Sequence, residues 1–193
     1  MVILLLKELV EKSERRLVAP LAGYPGLKLT GFTAEKCLKN AEAHVETISA
    51  LTRELKPDIA FPLMDLTVEA EAVGVQVSYR GFEAPTIVKH LKISSLDQVK
   101  SLKVPDPEKD GRLPAFLRTA ELMTEKVDAP LKGFYLLGPF TLAGQLVGIT
   151  NLLRIVRKNP GLTTGLIEFS NEVLIEYAKA LSNRGVEVLG IAE

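Results

Sequence analysis

Short apolar runs alternate along the chain with longer segments of helical periodicity. The runs 17–22, 58–63, 133–138 and 186–192 are mostly apolar and predict strands. Between them apolar residues recur at helical spacing, as from Cys37 to Leu55. Apolar strands that alternate with helices are typical of parallel pairing beneath covering helices. The pattern therefore predicts an α/β protein with about four parallel strands.

Shorter helices, a further strand and a loop are predicted between the four apolar runs. Thr33 is a predicted helix N-cap, and Pro57 is a predicted helix end. A short helix is predicted from Val68 to Val73, stopped by Gly74. Other short elements are a helix at 1–12 with one apolar face, an edge strand at 75–81, a helix at 96–102 and a loop at 103–112.

Composition narrows the class of protein. With 193 residues, 47% hydrophobic, and no linker or repeat, residues 1–193 are predicted to form a single domain. The 24 Lys and Arg balance 24 Asp and Glu, without a basic cluster among aromatics, which argues against a nucleic-acid partner. No apolar run approaches the roughly 18 residues of a membrane span. The lone Cys37 precludes an internal disulfide, which fits a cytoplasmic location.

Polar and glycine-rich residues are concentrated where predicted strands lead into helices. These junctions are Gly23–Gly26, Met64–Asp65, Gly138–Thr141 and Glu193. In a β/α barrel the carboxyl ends of the strands form the active face, so the four segments predict one shared site. A complete barrel has eight strands and about 250 residues. The expected fold is accordingly a partial (β/α)₈ TIM barrel.

Three segments carry a family resemblance: "FPLMDLTVEAEAVG" (61–74), "VPDPEKDGR" (104–112) and "LLGPFTLAGQLVG" (136–148). Together they resemble the uroporphyrinogen decarboxylase superfamily. The resemblance is greatest to its cobamide-dependent methyltransferases, which move methyl groups to coenzyme M and related thiols. It extends from about Arg15 to Glu193 and implies the N-terminal half of a (β/α)₈ barrel. The chain is therefore expected to be a truncated, split or degenerate copy.

Individual residues separate the two branches of the resembled family. Asp65 aligns with the essential aspartate of the porphyrin decarboxylases. Their arginine-rich segment after the first strand is replaced here by "APLAGYPGLKL" (19–29), without arginine, and Gln145 stands where they have tyrosine. A multiply acidic ring needs counter-charges when it is buried. Methyl transfer to a thiol is therefore the favoured expectation, and uroporphyrinogen decarboxylation is the alternative.

The methyltransferase resemblance also implies cofactors and partners. It implies a methylcobamide carried by a separate corrinoid protein, a small thiol substrate, and zinc held by a His-x-Cys pair and a later Cys. Neither His44 nor His90 is followed by Cys two positions later. No zinc ligands, and hence no metal site, are predicted within this chain.

The predicted site residues follow from the junctions and the resemblance. Asp65 is the predicted catalytic residue, orienting a polar group of the substrate, although it could instead cap a helix that starts near Leu66. Gln145 fits pocket lining and helix surface equally well. The N-terminus of the helix after Gly138 could hold a sulfonate. The predicted substrate-binding residues are Tyr24, Met64, Gly138, Pro139, Phe140, Thr141, Gln145 and Glu193.

Several nearby residues have simpler interpretations. Glu69 and Glu71 lie two apart on a short helix, so they point to different sides, and at least one is expected to be solvated. Cys37 is expected to be a small buried apolar residue. His44 and His90 are expected on the surface or in loops.

A non-catalytic role remains open beside the enzymatic ones. Half a barrel leaves two open sheet edges and an apolar interior, which favour association. The chain is therefore expected to form a homodimer or to pair with a second half-barrel chain.

Overall fold

The computed structural model describes residues 7, 8 and 10–193. The helix predicted at 1–12 lies largely on residues 1–6 and 9, outside the described residues. The helices are α1 (Gly26–Thr30), α2 (Ala34–Lys39), α3 (Ala41–Leu55), α4 (Val68–Val73), α5 (Leu96–Lys100), α6 (Leu113–Lys126), α7 (Pro139–Val147), α8 (Ile149–Lys158) and α9 (Pro160–Ser182). The strands are β1 (Ile59–Ala60), β2 (Gln76–Ser78), β3 (Thr86–Lys89), β4 (Leu131–Leu137) and β5 (Val188–Ala192).

The parallel sheet has three strands in the order β1-β4-β5. Ile59 of β1 is paired with Leu131, and β4 pairs with β5 from Gly133 opposite Val188 to Leu137 opposite Ala192. The α/β prediction with parallel strands is confirmed. The carboxyl ends of β1, β4 and β5 consequently lie along one edge of the sheet.

The strand predicted at 17–22 is wrong, since this segment is irregular in the structure. It still runs beside β1: the Val18 N–H donates to the Asp58 carboxylate over 2.7 Å, and the Val18 carbonyl accepts from the Asp58 N–H over 2.8 Å. Pro20 has no N–H to continue a ladder. The apolar residues of segment 17–22 therefore pack this segment against the sheet, but the segment does not form a strand.

The helix predicted through 37–55 is interrupted at Asn40. Thr33 caps α2 as predicted, accepting a hydrogen bond from the Lys36 N–H over 3.2 Å. Asn40 then adopts extended backbone and caps α3, its side chain accepting from the Ala43 N–H over 2.8 Å. Asn competes with the helical backbone for hydrogen bonds, which explains the break.

The predicted edge strand at 75–81 is found as β2, but it lies outside the parallel sheet. It pairs antiparallel with β3, which the pattern of the sequence did not reveal. The short helices at 68–73 and 96–102 are found as α4 and α5, and Gly74 ends α4 with a φ of 118°.

Two apolar clusters form the core. One packs α1, α2, α3 and α6 against β4, and the other packs α7, α8 and α9 together with Val75, Ile93 and Val99. Cys37 is buried in the first cluster as expected, where burial raises the pKa of its thiol. No single helix of the described part is long and apolar enough to cross a membrane. Within the same described part, α7 and α8 pass this test of length and composition only when taken together, across a bend of 107°.

Candidate functional site

Asp65 lies just beyond β1 and organises the loop that leads into α4. Its Oδ1 accepts hydrogen bonds from the Thr67 N–H at 2.8 Å and from the Thr67 hydroxyl at 2.7 Å. Thr67, not Asp65, is the N-cap residue of α4, and its side chain makes no capping hydrogen bond. Asp65 therefore fixes the turn before the helix rather than the first turn of the helix itself.

The second oxygen of Asp65 is held by Arg112, a residue that neither the sequence pattern nor the family resemblance singled out. Arg112 pairs through Nη1 with Asp65 and through Nε with Glu71, while its Nη2 donates to the Thr67 hydroxyl over 3.1 Å. Burial alone would lower the pKa of Arg112, but the carboxylates of Asp65 and Glu71 raise it above its ordinary value. The guanidinium is therefore a charged clamp between two carboxylates.

Arg112 ends the segment "VPDPEKDGR", for which the sequence predicts only a loop. Gly111 has a φ of 58° and lies so close to Ala72 that an added Cβ would be 2.9 Å from its Cα. This tight approach brings the loop against α4 and turns Arg112 inward. A signal in the sequence could have identified Arg112: it directly follows Gly111 at the end of a loop rich in Pro and Asp.

Aromatic side chains enclose the clamp. The Arg112 guanidinium carbon lies 5.4 Å from the centre of the Tyr79 ring and 5.7 Å from that of Phe116, distances typical of cation–π contact. Burial raises the pKa of Tyr79 to about 12. Burial, together with the Asp65 carboxylate, also raises the pKa of Tyr24. Tyr24 therefore belongs to the surroundings of Asp65.

The expectation that Glu69 or Glu71 is solvated is wrong. Glu71 is half-buried and paired with Arg112, and Glu69 is only 1% exposed. The Leu137 N–H donates to Glu69 Oε1 over 3.0 Å, which ties α4 to the end of β4. Burial, reinforced by the nearby Asp65 carboxylate, raises the pKa of Glu69 to about 7. A carboxyl group with this pKa is partly protonated at neutral pH.

The surface position expected for His44 is also wrong, because the residue is fully buried. Its Nε2 accepts a hydrogen bond from the Leu63 N–H over 3.0 Å, which supports the chain just before Asp65. Burial lowers the pKa of His44 to about 3, with a further contribution from the Arg112 charge. His44 is therefore a neutral structural support of the β1 end.

The Gly138–Thr141 turn and Glu193 come together at the ends of β4 and β5. The Glu193 carboxylate accepts from the Phe140 N–H over 3.1 Å and from the Thr141 N–H over 3.2 Å. At Gly138 an added Cβ would lie 1.8 Å from the same carboxylate. The N-terminus of α7, predicted to receive a sulfonate, is thus occupied by an anion of the chain itself.

A surface groove of about 300 Å³ lies beside this turn. Three of the predicted substrate-binding residues, Phe140, Thr141 and Gln145, line it together. Its other lining residues are His90, Gly144 and Ile149. His90 is exposed here, as expected. Tyr24, Met64 and Asp65 do not line this groove, so the predicted residues form two neighbouring groups at one edge of the sheet.

A larger groove, of about 510 Å³, lies at the opposite edge. Asp58 and Pro130, which precede β1 and β4, line it together with several basic residues. Arg15 in this groove already makes a two-pronged pair with Asp58, at 2.7 and 2.8 Å. This end of the sheet carries none of the junction residues, and we assign the candidate site to the carboxyl ends of the strands.

The zinc implied by the methyltransferase resemblance does not fit the described residues. Within residues 7, 8 and 10–193, no three His, Cys, Asp or Glu side chains are grouped as metal ligands would be. Cys37 and His44 are buried, and each already contacts protein atoms.

Comparison with known proteins places the chain in a family. The family model described as uroporphyrinogen decarboxylase (URO-D) matches residues 21–193. A methylated-thiol–coenzyme M methyltransferase of Methanosarcina mazei is 25% identical over 70% of this chain and 36% of its own length. The methylcobamide:CoM methyltransferase MtaA of Methanosarcina barkeri is 30% identical over 66% of this chain and 38% of its length.

Two further relatives come from the other branch of the family and from the solved structures. A uroporphyrinogen decarboxylase of Geobacillus thermodenitrificans is 30% identical over 69% of this chain and 39% of its length. The solved structure of a methyltransferase from Methanosarcina mazei superposes with a TM-score of 0.85 at 23% identity, covering 97% of this chain and 57% of that one. The chain thus spans less than half the length of these curated relatives. The match of the family model to residues 21–193 shows that this chain belongs to the uroporphyrinogen decarboxylase family.

Proposed function

We propose that this chain is part of a cobamide-dependent methyltransferase that moves a methyl group to a small thiol such as coenzyme M. The observation that carries the proposal is the charge of the Asp65 cluster. Asp65 and Glu71 offset Arg112, which leaves the cluster with a net negative charge and without a spare cation among the described residues. Several relatives of the chain are named as methyltransferases that act with coenzyme M, which supports the same proposal.

The same charge argues against the decarboxylase alternative. A porphyrin substrate with several carboxylates would need cations at the site, preferably arginines that bind in two-pronged fashion. The segment 19–29 has no arginine and a single cation, Lys28. Gly23 packs directly on the extension of β1, where an added Cβ would lie 2.6 Å from the Leu63 Cα. No long side chain fits at that point. A small thiol such as coenzyme M carries one sulfonate instead of several carboxylates, so it needs fewer cations.

Each part of the site has a role in this proposal. Asp65, whose side chain is buried and held by Thr67 and Arg112, would position the β1 end beside the bound substrate. Phe140, Thr141 and Gln145 would bind the substrate in the groove beside α7. Methylcobamide, presented by a corrinoid protein, would supply the methyl group when bound. Zinc, if the complete protein uses it, would need ligands other than those described here.

The partial (β/α)₈ barrel is part of the same proposal. The parallel order β1-β4-β5 and the coverage of 57% of a structural neighbour support it. Among the described residues β5 is one of the two outer strands of the sheet, and its Leu189 and Ile191 are 38% and 68% exposed. Exposed apolar residues on an unpaired edge favour association. We propose that a second half-barrel, in the same or another chain, or a second copy covers β5.

Calorimetric titration tests the proposed substrate class. We expect coenzyme M to bind the chain and uroporphyrin, a stable analogue of the porphyrin substrate, not to bind. Substitution of Gln145 by Ala should weaken coenzyme M binding, whereas substitution of the exposed Ile175 on α9 should leave it unchanged. Binding of uroporphyrin without binding of coenzyme M would overturn the proposal in favour of the decarboxylase. Binding of neither would favour the non-catalytic subunit.

A further inference from the structure

α8 presents a stripe of apolar side chains to solvent, formed by Ile149, Leu153 and Val156. These residues are spaced four and three positions apart, so they lie on one side of the helix. They are 54%, 56% and 40% exposed. Single exposed apolar residues are ordinary on a protein surface, whereas a continuous stripe indicates a surface that a partner covers. The α8 stripe is therefore a candidate docking surface.

The α8 stripe is held in place by the core beneath it. Leu152, on the neighbouring side of the helix, is fully buried in the second apolar cluster. Gly144 of α7 packs so closely on the first turn of α8 that an added Cβ would lie 3.2 Å from the Ile149 Cδ1. α8 also contacts α9. The stripe is consequently pre-organised for binding, because its backbone is already ordered.

The charged residues beside the α8 stripe are all positive. At about 100° per residue, Arg157 lies beside Leu153 on the helix surface, and Arg154 and Lys158 follow it. All three cations are exposed, and none forms an ion pair with another described residue. The sequence has no Asp or Glu between Phe140 and Ile167. Charge complementarity therefore favours a partner with an acidic rim around an apolar centre.

The α8 stripe begins at the groove in which the proposed function places the substrate. Ile149 lines this groove together with Phe140, Thr141 and Gln145. A partner seated on the stripe would therefore lie next to the bound thiol. The methyl donor has to arrive at this place, because reacting atoms must approach to about 3–3.5 Å before the transfer.

Charge and position argue against two other occupants of the stripe. In a symmetric pair of chains joined through α8, the same surface would face itself, and Arg154, Arg157 and Lys158 would meet their own copies. Like charges brought together in this way are unfavourable. An anionic bilayer would suit the charges, but a flat bilayer against the stripe would close the groove at Ile149. A protein with a shaped acidic surface has neither difficulty.

We propose that the α8 stripe and its three flanking cations dock the protein that presents the methyl donor. The inference rests on the proposed function and adds to it the surface on which that partner binds. Leu153, at the middle of the stripe, supplies apolar contact in the complex. Arg154 and Arg157 attract the acidic rim of the partner during association.

Binding kinetics test the apolar and the charged part of the surface separately. Corrinoid proteins from the source cells, purified by their cobamide absorbance, are the probe for biolayer interferometry on the full chain at several salt concentrations. In Leu153→Ser we expect dissociation to be about tenfold faster, because apolar contact is lost. In the double variant Arg154→Gln, Arg157→Gln we expect slower association that depends less on salt, because long-range attraction is reduced.

Matched controls separate α8 from the rest of the surface. Arg118→Gln removes an exposed cation of α6, and Ile175→Ser removes an exposed apolar residue of α9. Neither should change the binding of the corrinoid protein. The α8 variants should bind coenzyme M as the unmodified chain does, since Leu153, Arg154 and Arg157 do not line the groove. Equal effects of the control and α8 variants on corrinoid-protein binding would overturn the docking surface.

The docking surface and the function on which it rests fail in different ways. Corrinoid-protein binding that the α8 variants leave unchanged would overturn the docking surface and preserve the proposed function. Absence of binding to both coenzyme M and the corrinoid protein would overturn both. Binding to phosphatidylglycerol vesicles that the α8 variants abolish would overturn the protein partner in favour of a membrane surface. Loss of self-association in the α8 variants would overturn it in favour of a second copy.

Discussion

Arg112 and Asp65 form a buried ion pair although 47 residues separate them along the chain. The pair joins the loop before α6 to the end of β1, and Glu71 binds the same guanidinium from α4. Removing one partner of a buried pair leaves the other charge without compensation, which is far more costly than loss of an exposed pair. The cluster is therefore a structural support of the candidate site as well as part of it.

Replacement of Arg112 by Leu should destabilise the protein severely. We expect a loss of about 3–5 kcal/mol in the free energy of unfolding, because Asp65 would remain buried and unpaired. Urea unfolding followed by circular dichroism measures it. Arg118→Leu, which removes an exposed pair with Glu121, is the matched control and should have a much smaller effect. Equal losses in the two variants would contradict a buried clamp.

Glu69 should make stability depend on pH. Its pKa is raised to about 7 in the folded protein from an ordinary value of 4.5, so the folded state binds more protons between these values. Stability should therefore fall as pH rises from about 4.5 to 7, by about 3 kcal/mol in total. Asp65, Arg112 and Tyr177 are the ionisable groups that face it.

The measurement for Glu69 is a set of urea midpoints across this range of pH. Glu69→Gln cannot ionise, so its midpoint should vary less between pH 4.5 and 7 than that of the unmodified chain. Parallel pH profiles for the two proteins would show that Glu69 is not the responsible group.

Gly23 should tolerate no side chain. Its added Cβ would lie 2.6 Å from the Leu63 Cα, a backbone atom that cannot move aside cheaply. We expect Gly23→Ala to cost about 1–3 kcal/mol, as overpacking does. Gly161→Ala is a suitable control, since an added Cβ would have only the Asn159 side chain nearby, at 3.8 Å. A helical Gly→Ala change there should be neutral or stabilising.

Loss of the Glu193 carboxylate should open the N-terminus of α7. In Glu193→Ala the N–H groups of Phe140 and Thr141 lose their acceptor, so both amides should exchange with solvent faster. Stability should fall by about 0.3–1 kcal/mol, the usual worth of an anion at this end of a helix. Added sulfate should then shift these two amide resonances in the variant but not in the unmodified chain. An identical response of the variant and the unmodified chain to sulfate would mean that the Glu193 carboxylate does not occupy the anion position at the N-terminus of α7.

Light scattering tests association through β5. We expect a dimer at micromolar concentration or a stable complex with a second half-barrel chain. Ile191→Ser, which removes the most exposed apolar residue of β5, should weaken the association. Ile175→Ser serves as the control, because Ile175 is also an exposed apolar residue, with 43% of its surface accessible, but lies on α9. A monomer that binds no second half would contradict the proposal.

The local pattern of the sequence determined most of the elements and the edge of the sheet at which the candidate site was predicted. Apolar runs predicted β1, β4 and β5, and the junction residues Asp65 and Gly138 predicted the chemistry at their ends. Such features depend on residues a few positions away, because the direction in which successive side chains point and the capping of helices are properties of the local backbone. The resemblance of the same segments to a known family was confirmed by the family model.

Tertiary structure alone decided which of these residues act together. Arg112 reaches Asp65 only because Gly111 lets its loop close on α4, and His44 is buried only because α3 packs against α6. Glu69 and Glu71 point to different sides, as their spacing predicts, but only the fold sets their partners, which are β4 for Glu69 and Arg112 for Glu71. Pairing, burial and the resulting pKa values depend on groups that are distant along the chain. The local periodicity of the sequence contains no information on which distant groups come into contact. Only the folded structure determines those contacts.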